Sequence, residues 1–304
     1  DEVRVRVEAC GICRTDLHVA EGELPPRRPR IVPGHQVVGI VDQCGSGTKR
    51  FKVGDRVGIA WLRSTCGICR YCTAGNENLC PYARFTGYHE NGGFAEYAVV
   101  KEDFAYALPG DLDAVSCTPL LCAGIIGFRA LRRAEARPGC RLGLYGFGSS
   151  AHIVIQIARH WNCMIYVMTR SPRQQELARQ LGATWVGGAT DAPPEKLDSA
   201  ILFAPVGDLV LPALEALEMG GTLAVAGIYS TDIPSLNYER HLFHEKNLRS
   251  VTANTRQDGR DLLQIAAEIP LRPQTTAYPL ADANRALADL KHDAFQGSGV
   301  LVVA

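Results

Sequence analysis

Residues 141–160, R-L-G-L-Y-G-F-G-S-S-A-H-I-V-I-Q-I-A-R-H, impose the strongest constraint on how this 304-residue chain can fold. An apolar run changes directly into an amphipathic helical pattern, and glycines lie at the change. M-I-Y-V-M-T follows as a second apolar run and completes a strand–helix–strand unit. Such units pair their strands in parallel and pack helices on the sheet. The sequence therefore predicts an α/β domain in this part of the chain.

The glycines in this unit follow a binding pattern. Gly146-Phe147-Gly148-Ser149-Ser150-Ala151 fits G-x-G-x-x-G/A. Gly146 can form a tight turn, and Gly148 lets backbone N–H groups approach a pyrophosphate at the helix N-terminus. Because the pattern ends a strand and opens a helix, it indicates a dinucleotide-binding site. The alternative is a glycine-rich turn with a purely structural role.

The choice of dinucleotide depends on the residue that contacts the ribose, which is expected about 20 positions after the first glycine. Thr169 stands there and is followed by Arg170 and Ser171. A carboxylate would bond the free 2′-hydroxyl of NAD and repel a 2′-phosphate. Hydroxyls and a cation favour NADP instead, with NAD as the alternative.

The chain divides into three parts by pattern. Residues 1–122 contain short β-branched runs, such as V-R-V-R-V-E and Q-V-V-G-I-V, which predict a twisted β domain. Residues 123–254 alternate strands with helices, including a helix predicted over 212–221, P-A-L-E-A-L-E-M-G-G. The alternation stops near residue 255, and residues 255–304 are expected to return to the first domain.

Charge balance excludes several kinds of partner. Lys+Arg and Asp+Glu both number 32, so no basic field favours nucleic acid or an anionic membrane, and a small molecule is the expected partner. The sequence contains no membrane-spanning run and opens with no signal segment, which predicts a cytoplasmic protein. Because the chain starts within the strand pattern D-E-V-R-V-R-V-E-A, we expect the natural protein to extend before residue 1.

The eleven cysteines are expected to be metal ligands or buried thiols, since nothing indicates an oxidising compartment. Cys66, Cys69, Cys72 and Cys80 form C-x2-C-x2-C-x7-C, which can close a tetrahedron around Zn²⁺ as a structural site. An iron–sulfur cluster and two disulfides are the alternatives. Five further cysteines are predicted to be buried thiols: Cys10, Cys44, Cys117, Cys140 and Cys163.

A second metal site is indicated by residues far apart in sequence. C-G-I-C-R-T-D-L-H contains Cys13, P-G-H-Q contains His35, and P-L-L-C-A-G contains Cys122. Two cysteines and a histidine would leave the fourth zinc position open for water or substrate, which is typical of a catalytic site. Each residue alone would indicate little, and the combination carries the hypothesis.

Taken together, C-G-I-C-R-T-D-L-H, G-H-Q-V-V-G, the four-cysteine loop, L-C-A-G and G-F-G-S-S-A resemble the medium-chain, zinc-dependent alcohol dehydrogenases. The resemblance covers essentially the whole chain. It implies a GroES-like twisted β catalytic domain plus a Rossmann domain, whose doubly wound parallel sheet binds the cofactor. It also implies one catalytic and one structural Zn²⁺ per chain and a homodimer or homotetramer. Cys13, rather than Cys10, is the ligand that the resemblance implies.

The resemblance assigns further roles. Thr15 matches the hydroxyl that bonds the substrate alcohol, and His18 matches the imidazole at the far end of the proton relay. Asp16 matches the carboxylate that orients the histidine ligand. Arg14 is similar to an arginine that contacts the cofactor pyrophosphate. Trp61 stands where relatives place an aromatic wall of the alcohol pocket, and the alternative is a core tryptophan.

Two positions depart from the family pattern. Gln36 replaces the glutamate of the usual G-H-E, and we expect zinc binding to survive this change. Many relatives carry a pyrophosphate-binding arginine near the C-terminus, where this chain has Gly297-Ser298-Gly299-Val300. Arg14 and the helix N-terminus are then expected to hold the phosphates.

The implied reaction is reversible hydride transfer between a primary or simple secondary alcohol and NAD(P). Zinc would lower the pKa of the bound hydroxyl, and the proton would leave through Thr15 and His18. The alternatives are a broader NADPH-dependent carbonyl reductase and a polyol dehydrogenase. A non-enzymatic zinc-binding relative is disfavoured, because all three predicted catalytic ligands are present.

Overall fold

The computed structural model describes residues 1–108, 112–269 and 271–303 of the chain. It divides into two compact units, the first comprising Asp1–Ile125 and Ala253–Ala304 and the second comprising Ile126–Thr252. The predicted domain ranges 1–122 and 255–304 include positions 109–111, 270 and 304, which lie outside the described residues. Each unit is built on its own main sheet.

Strands occur in both units and are numbered along the chain. They are β1 Glu2–Ile12, β2 Gln36–Cys44, β3 Arg56–Ile59, β4 Leu62–Ser64, β5 Arg84–Phe85, β6 Tyr97–Lys101, β7 Ala105–Ala107, β8 Arg141–Tyr145, β9 Met164–Met168, β10 Trp185–Gly187, β11 Leu197–Leu202, β12 Leu217–Val225, β13 Asn247–Ser250, β14 Thr275–Pro279 and β15 Ser298–Val302.

The α-helices are numbered in the same way. They are α1 Arg14–Ala20, α2 Arg70–Thr73, α3 Ala114–Cys117, α4 Ala123–Arg133, α5 Ser149–His160, α6 Pro172–Gln180, α7 Val210–Ala216, α8 Tyr238–His241, α9 Arg256–Glu268 and α10 Ala283–Lys291. Short 3₁₀ turns cover Glu77–Leu79, Glu102–Phe104, Thr118–Leu121, Gly207–Leu209 and Leu280–Asp282. Among the described residues, no single helix has the length and apolarity to cross a membrane, whereas the bent pair Ala114–Leu121 and Ala123–Arg133 passes both requirements jointly.

Strand β1 lies at the centre of the first unit. Val3, Val5 and Val7 are buried at every second position, and the charged residues between them are exposed. This is the period-two pattern of a half-buried strand. It pairs antiparallel with β2, β6 and β15. The order of the main sheet is β14-β15-β1-β2-β3-β7, with β6 attached to β1.

The register of β1 and β2 determines where the first predicted site forms. Gly11 near the end of β1 is paired with Gln36 at the start of β2. Cys13 follows β1 by one residue, and His35 directly precedes β2. Strand pairing therefore brings Cys13 and His35 to the same edge of the sheet, although 22 residues separate them in sequence.

The sheet of the second unit is parallel throughout the described strands, in the order β10-β9-β8-β11-β12-β13. From β8 the chain adds β9 and β10 on one side of the sheet, and then adds β11, β12 and β13 on the other side. Doubly wound sheets bind ligands where the direction changes in this way, at the carboxyl ends of the strands. β8 ends at Tyr145, directly before Gly146. The glycine-rich turn therefore lies where this fold class places its ligands.

The helix predicted over 212–221 is shorter in the structure, and this part of the prediction is wrong. α7 ends at Ala216, and Leu217 already has the extended conformation that begins β12. Leu217 is buried and is paired with Leu197 of β11. Its burial in the sheet outweighs the helical propensity of the surrounding residues.

Gly39 is required where β2 approaches β1. A Cβ atom at this position would lie 2.2 Å from the carbonyl oxygen of Arg6, which is far inside van der Waals contact. The obstacle is backbone in the neighbouring strand, so it cannot rotate aside. We expect Gly39→Ala to lower the free energy of unfolding by about 1–3 kcal/mol, measured by urea or thermal unfolding.

Gly45→Ala is the matched control, since its Cβ would lie 3.1 Å from the carbonyl oxygen of Glu2 at an exposed position just beyond β2. Gly45→Ala should lower the free energy of unfolding clearly less than Gly39→Ala does. Equal stability of the two variants would contradict the steric argument.

Candidate active site

The first predicted ligand, Cys13, is held by the start of α1. Its extended backbone makes it the residue that caps the helix, and its Sγ accepts a hydrogen bond from the N–H of Thr15 at 3.3 Å. In return, the Asp16 carboxylate accepts a hydrogen bond from the backbone N–H of Cys13 at 3.0 Å. This reciprocal cap is the physical reason for the C-x-x-D spacing, and it fixes the direction of the sulfur.

The second predicted ligand, His35, depends on the glycine before it. Gly34 has φ of +99°, and a Cβ there would lie 2.5 Å from the ring of Phe94. The N–H of Gly34 donates to the Asp16 carboxylate at 2.9 Å, and His35 Nδ1 lies 3.2 Å from the same oxygen. Asp16 thus accepts the Nδ1 proton and leaves Nε2 as the lone pair that can bind a metal.

The third predicted ligand, Cys122, follows the buried 3₁₀ turn Thr118–Leu121. His35 Nε2 lies 3.4 Å from the sulfurs of both Cys13 and Cys122, and the three ligand atoms lie within 4.8 Å of one another. Ligands bound tetrahedrally to Zn²⁺ at ordinary zinc distances are about 3.5 Å apart. The donor set and its spacing therefore fit zinc with one coordination position left over.

The electrostatics of this cluster separate its two thiols. A hydrogen bond from Cys122 lowers the pKa of Cys13 well below its usual value and outweighs burial. The same contact, together with burial, raises the pKa of Cys122 well above its usual value. Burial alone would lower the pKa of His35, but the charges of Asp16 and Cys13 raise it overall. Burial raises the pKa of Asp16, and the charge of His35 offsets part of this increase.

Thr15 and His18 lie three residues apart on α1, so their side chains share one face of the helix. The Thr15 hydroxyl has no hydrogen-bond partner among the described residues, whereas His18 Nδ1 makes a short contact with the Glu23 carboxylate. The His18 side chain is only 16% exposed. The arrangement leaves a hydroxyl available to a ligand and an imidazole oriented by an acid.

Arg14, predicted to contact a pyrophosphate, is paired in the structure with Asp293 at 2.7 Å. Both side chains are largely exposed, and surface pairs of this kind contribute at most about 1 kcal/mol. The pair is therefore weak enough for Arg14 to exchange Asp293 for a phosphate.

The four-cysteine loop forms a compact cluster of sulfur atoms. The Sγ–Sγ distances are 3.9 Å for Cys66–Cys72, 3.6 Å for Cys69–Cys72 and 3.6 Å for Cys66–Cys80. Four sulfurs in a tetrahedron around one Zn²⁺ would be about 3.8 Å apart. The distances fit a single ion, are too long for disulfides, and leave no room for an iron–sulfur cluster.

Backbone N–H groups point at the sulfurs of this cluster. Cys66 accepts from the N–H of Cys69 at 3.4 Å, and backbone bonds of this kind lower its pKa to about 6. The loop is attached to the rest of the first unit by Glu77, which is buried and accepts from the backbone N–H of Arg256 at 3.0 Å and from its side chain at 3.1 Å. The cluster is thus fixed to the start of α9.

Trp61 is half-buried in an aromatic stack beside the first cluster. Its ring lies parallel to Phe85 at 4.8 Å and to Tyr88 at 6.1 Å between centroids. It also meets the ring of His35 edge-on at 4.9 Å. The stack therefore places an apolar aromatic wall directly next to a predicted metal ligand.

The glycine-rich turn has the conformation that its pattern predicts. Gly146 has φ of +83°, and a Cβ there would lie 2.9 Å from the backbone nitrogen of Ala204. A Cβ on Gly148 would meet open space, and among the described residues no side chain caps α5 there. The first N–H groups of this helix are therefore suited to an anion. The Phe147 side chain is buried, so only its backbone could contact a cofactor.

The positions after β9 also fit a charged ligand. Thr169 is buried, and its hydroxyl donates to the side-chain oxygen of Gln174 at 2.7 Å. Arg170 is exposed and has no ion-pair partner among the described residues. Ser171 directly precedes α6, and its side chain makes no capping hydrogen bond. A cation and a hydroxyl are therefore available beside the strand end.

Comparison with known proteins identifies the family. The family model for the alcohol dehydrogenase GroES-like domain matches residues 1–110, and the model for the zinc-binding dehydrogenase matches residues 151–268. The "Probable alcohol dehydrogenase AdhA" of Mycobacterium tuberculosis (strain CDC 1551 / Oshkosh) is 55% identical over 307 residues, covering 99% of this chain and 89% of the relative. The chain belongs to the zinc-dependent medium-chain alcohol dehydrogenase family.

Solved structures agree with this assignment. A cinnamyl alcohol dehydrogenase of Sorghum bicolor superimposes with a TM-score of 0.91 at 29% identity, covering 99% of this chain and 90% of that one. A Sinorhizobium meliloti protein bound to NADP and described as a zinc-binding dehydrogenase has a TM-score of 0.88 at 26% identity, covering 99% and 92%.

The predicted family, the GroES-like plus Rossmann fold and the alcohol dehydrogenase function are confirmed. As an alcohol dehydrogenase, the protein is an oxidoreductase whose substrates are small alcohols or carbonyl compounds. The structure brings Cys13, His35 and Cys122 together and gathers the four cysteines of the loop.

Several site contacts of this alcohol dehydrogenase were missed from sequence. The contact of Glu23 with His18 depends on the geometry of the loop after α1, and no spacing pattern indicates it. The ion pair of Asp293 with Arg14 joins segments that are distant in sequence, so no local pattern indicates it either. Phe85 and Tyr88 could have been found, because aromatic residues shortly after a four-cysteine loop were visible.

The two departures from the family pattern are both in buried surroundings. Gln36 is 1% exposed, and its Nε2 has no hydrogen-bond partner among the described residues. Its side chain lies over Gly11, where a Cβ would come within 2.8 Å of its oxygen. Residues 298–300 are buried in β15. The described part of this segment offers the phosphates no cation.

We expect Asp16→Asn to weaken zinc retention at the Cys13–His35–Cys122 cluster about 10- to 100-fold, because one amide oxygen cannot replace a carboxylate that accepts three hydrogen bonds. Competition with a chromogenic chelator measures the loss. Asp42→Asn is the control, since Asp42 forms a partly exposed ion pair with Arg4. If both variants release zinc like the parent, Asp16 does not position the ligand.

Proposed function

We propose that this protein is a zinc-dependent alcohol dehydrogenase that prefers NADP and oxidises primary or simple secondary alcohols with an apolar tail, or reduces the matching carbonyls. The observation that carries the proposal is the cluster of Cys13, His35 and Cys122, whose histidine is oriented by the buried Asp16.

The residues that would hold the catalytic ion are Cys13, His35 and Cys122. Their donor atoms fit the ligand preference and spacing of zinc, and the lowered pKa of Cys13 supplies a thiolate readily. When bound, zinc acts as a Lewis acid that polarises the oxygen of the alcohol or carbonyl substrate.

Thr15 and His18 would move the proton of the alcohol. The Thr15 hydroxyl is available to accept it from the substrate and to donate its own onward. His18 is oriented by Glu23, whose carboxylate contacts its Nδ1. His18 would then release the proton to solvent, which makes it the general base of the pathway.

The aromatic stack of Trp61, Phe85 and Tyr88 supports an apolar substrate tail. It places aromatic rings beside His35, and its Tyr88 hydroxyl already donates to the carbonyl oxygen of Pro25. A polyol would leave its hydroxyl groups without partners against such a wall, which costs free energy. The stack therefore favours a simple alcohol or aldehyde over the polyol alternative.

The NADP preference is supported by the end of β9. Thr169 stands where a carboxylate would favour NAD, and Arg170 offers an exposed guanidinium for a 2′-phosphate. A structural relative was solved with NADP. Gly146, Gly148 and the start of α5 would hold the pyrophosphate. NAD is the alternative cofactor, and with NADPH the same site would serve a broader carbonyl reductase.

A second, structural zinc in the four-cysteine loop is part of the proposal, which gives two ions per chain. The association into a homodimer or homotetramer and the cytoplasmic location stay predictions of the sequence.

The decisive experiment measures initial rates of reduced-nicotinamide formation on a panel of primary and secondary alcohols, with NAD and NADP in parallel. We expect Cys13→Ser to lower turnover at least about 100-fold and to reduce bound zinc from two ions per chain to one, since the loop is untouched.

Cys44→Ser is the matched control, because Cys44 is a half-buried thiol whose sole hydrogen bond within the described residues goes to the carbonyl of Phe51. This variant should keep both ions and full activity. A Cys13→Ser enzyme that turned over normally, with circular dichroism showing the native fold, would overturn the zinc assignment.

The cofactor proposal is tested at Arg170. We expect Arg170→Ala to raise KM for NADP about 10- to 100-fold, since a charge-assisted bond to the phosphate is lost, and to leave KM for NAD nearly unchanged. Arg179→Ala is the control, since Arg179 lies near the end of the following helix α6 and is paired with Glu176. An equal response to both cofactors would show that Arg170 does not contact a 2′-phosphate.

A further inference from the structure

Cys140 and Cys163 form a pair of thiols in the second unit, away from the predicted cofactor turn. Both directly precede a strand, β8 and β9 respectively, whereas the glycine-rich turn follows β8. Their sulfurs lie 3.7 Å apart. The sequence predicted buried thiols here, but both residues are half-buried, so this prediction is wrong.

The backbone holds the two cysteines side by side. Arg141 and Met164 are register partners in the parallel strands, and the N–H of Met164 donates to the carbonyl of Cys140 at 3.0 Å. Neighbouring strands are about 4.8 Å apart, which lies within the Cα separation that a disulfide spans. Rotation of the side chains is therefore enough to join the sulfurs.

The two thiols have different roles. Cys163 donates to the carbonyl oxygen of Arg137 at 3.4 Å, which requires that its sulfur keep the proton. The contact between the two sulfurs lowers the pKa of Cys140 to about 7 despite partial burial. The pKa of Cys163 is raised by the same contact. Cys140 is therefore the nucleophilic thiol of the pair.

Cys140 is also accessible to a small molecule. It lies on the wall of an open cavity of about 340 Å³, which Glu135, Arg137 and Asp198 also line. Residues of both charges line this cavity, so it suits a polar ligand. The other cysteines outside the metal clusters differ, since Cys10 and Cys117 are buried and Cys44 lies near no second sulfur among the described residues.

We propose that Cys140 is a site of modification by low-molecular-weight disulfides and that Cys163 resolves the adduct into an intrachain disulfide. The Cys140 thiolate attacks one sulfur of the small disulfide, whose S–S bond breaks and releases one thiol. The Cys163 thiolate then attacks the Cys140 sulfur and releases the second thiol. The protein dithiol is oxidised, the small disulfide is reduced, and the two protons end on the two released thiols.

The test treats the zinc-replete enzyme with oxidised glutathione, quenches with acid, alkylates the free thiols and maps each cysteine peptide by mass spectrometry. In the parent protein we expect a Cys140–Cys163 cross-linked peptide that forms at least ten times faster than any adduct on Cys44. Addition of dithiothreitol should restore both thiols.

Two variants separate the roles. Cys163→Ser should accumulate the mixed disulfide on Cys140, because the resolving thiol is missing. Cys140→Ser should slow the modification of Cys163 at least tenfold. Both variants should keep alcohol oxidation, since neither residue belongs to the proposed catalytic site. The proposal is overturned if Cys140 and Cys44 react at equal rates, or if Cys163→Ser traps no adduct on Cys140.

Discussion

The carboxylate of Asp16 is the contact on which the proposed catalytic site depends. It is buried, and it accepts hydrogen bonds from the backbone of Cys13, the backbone of Gly34 and the ring of His35. One side chain therefore joins the helix that carries one ligand to the turn that carries another. The distance between the ligand atoms of Cys13 and His35 follows from these bonds and from the pairing of β1 with β2.

The two cysteine-containing clusters of the first unit differ in the number of donors that the protein provides. The loop cluster has four sulfurs and backbone N–H groups aimed at them, which leaves no position for a ligand. The other cluster has three donors and lies beside the aromatic stack of Trp61. A closed set of ligands suits a fixed loop, whereas an open set suits exchange of substrate. The loop cluster has sulfur donors alone and the other includes a histidine nitrogen, and the number of protein donors decides whether a coordination position stays open.

Local motifs carried most of what could be predicted from sequence. The cysteine spacing of the loop and the glycine turn at Gly146 are set by residues close in sequence, so their patterns can be recognised. Contacts that depend on strand pairing could not be predicted from such local patterns. Cys140 and Cys163 are 23 residues apart and meet only because β8 and β9 are in register. Leu217 was predicted in a helix because its burial in the sheet is a tertiary effect.

The pairing of β1 with β15 has a consequence for how the chain acquires its structure during synthesis. The first unit contains both ends of the described chain, and its central strand takes a partner from the last strand. The second unit is continuous and can fold as soon as it leaves the ribosome, because domains generally fold as units. The first unit must wait until residues beyond 297 emerge, because residues 9–12 of β1 pair with β15. Translation therefore completes the Rossmann domain before the GroES-like domain, although the latter begins the sequence.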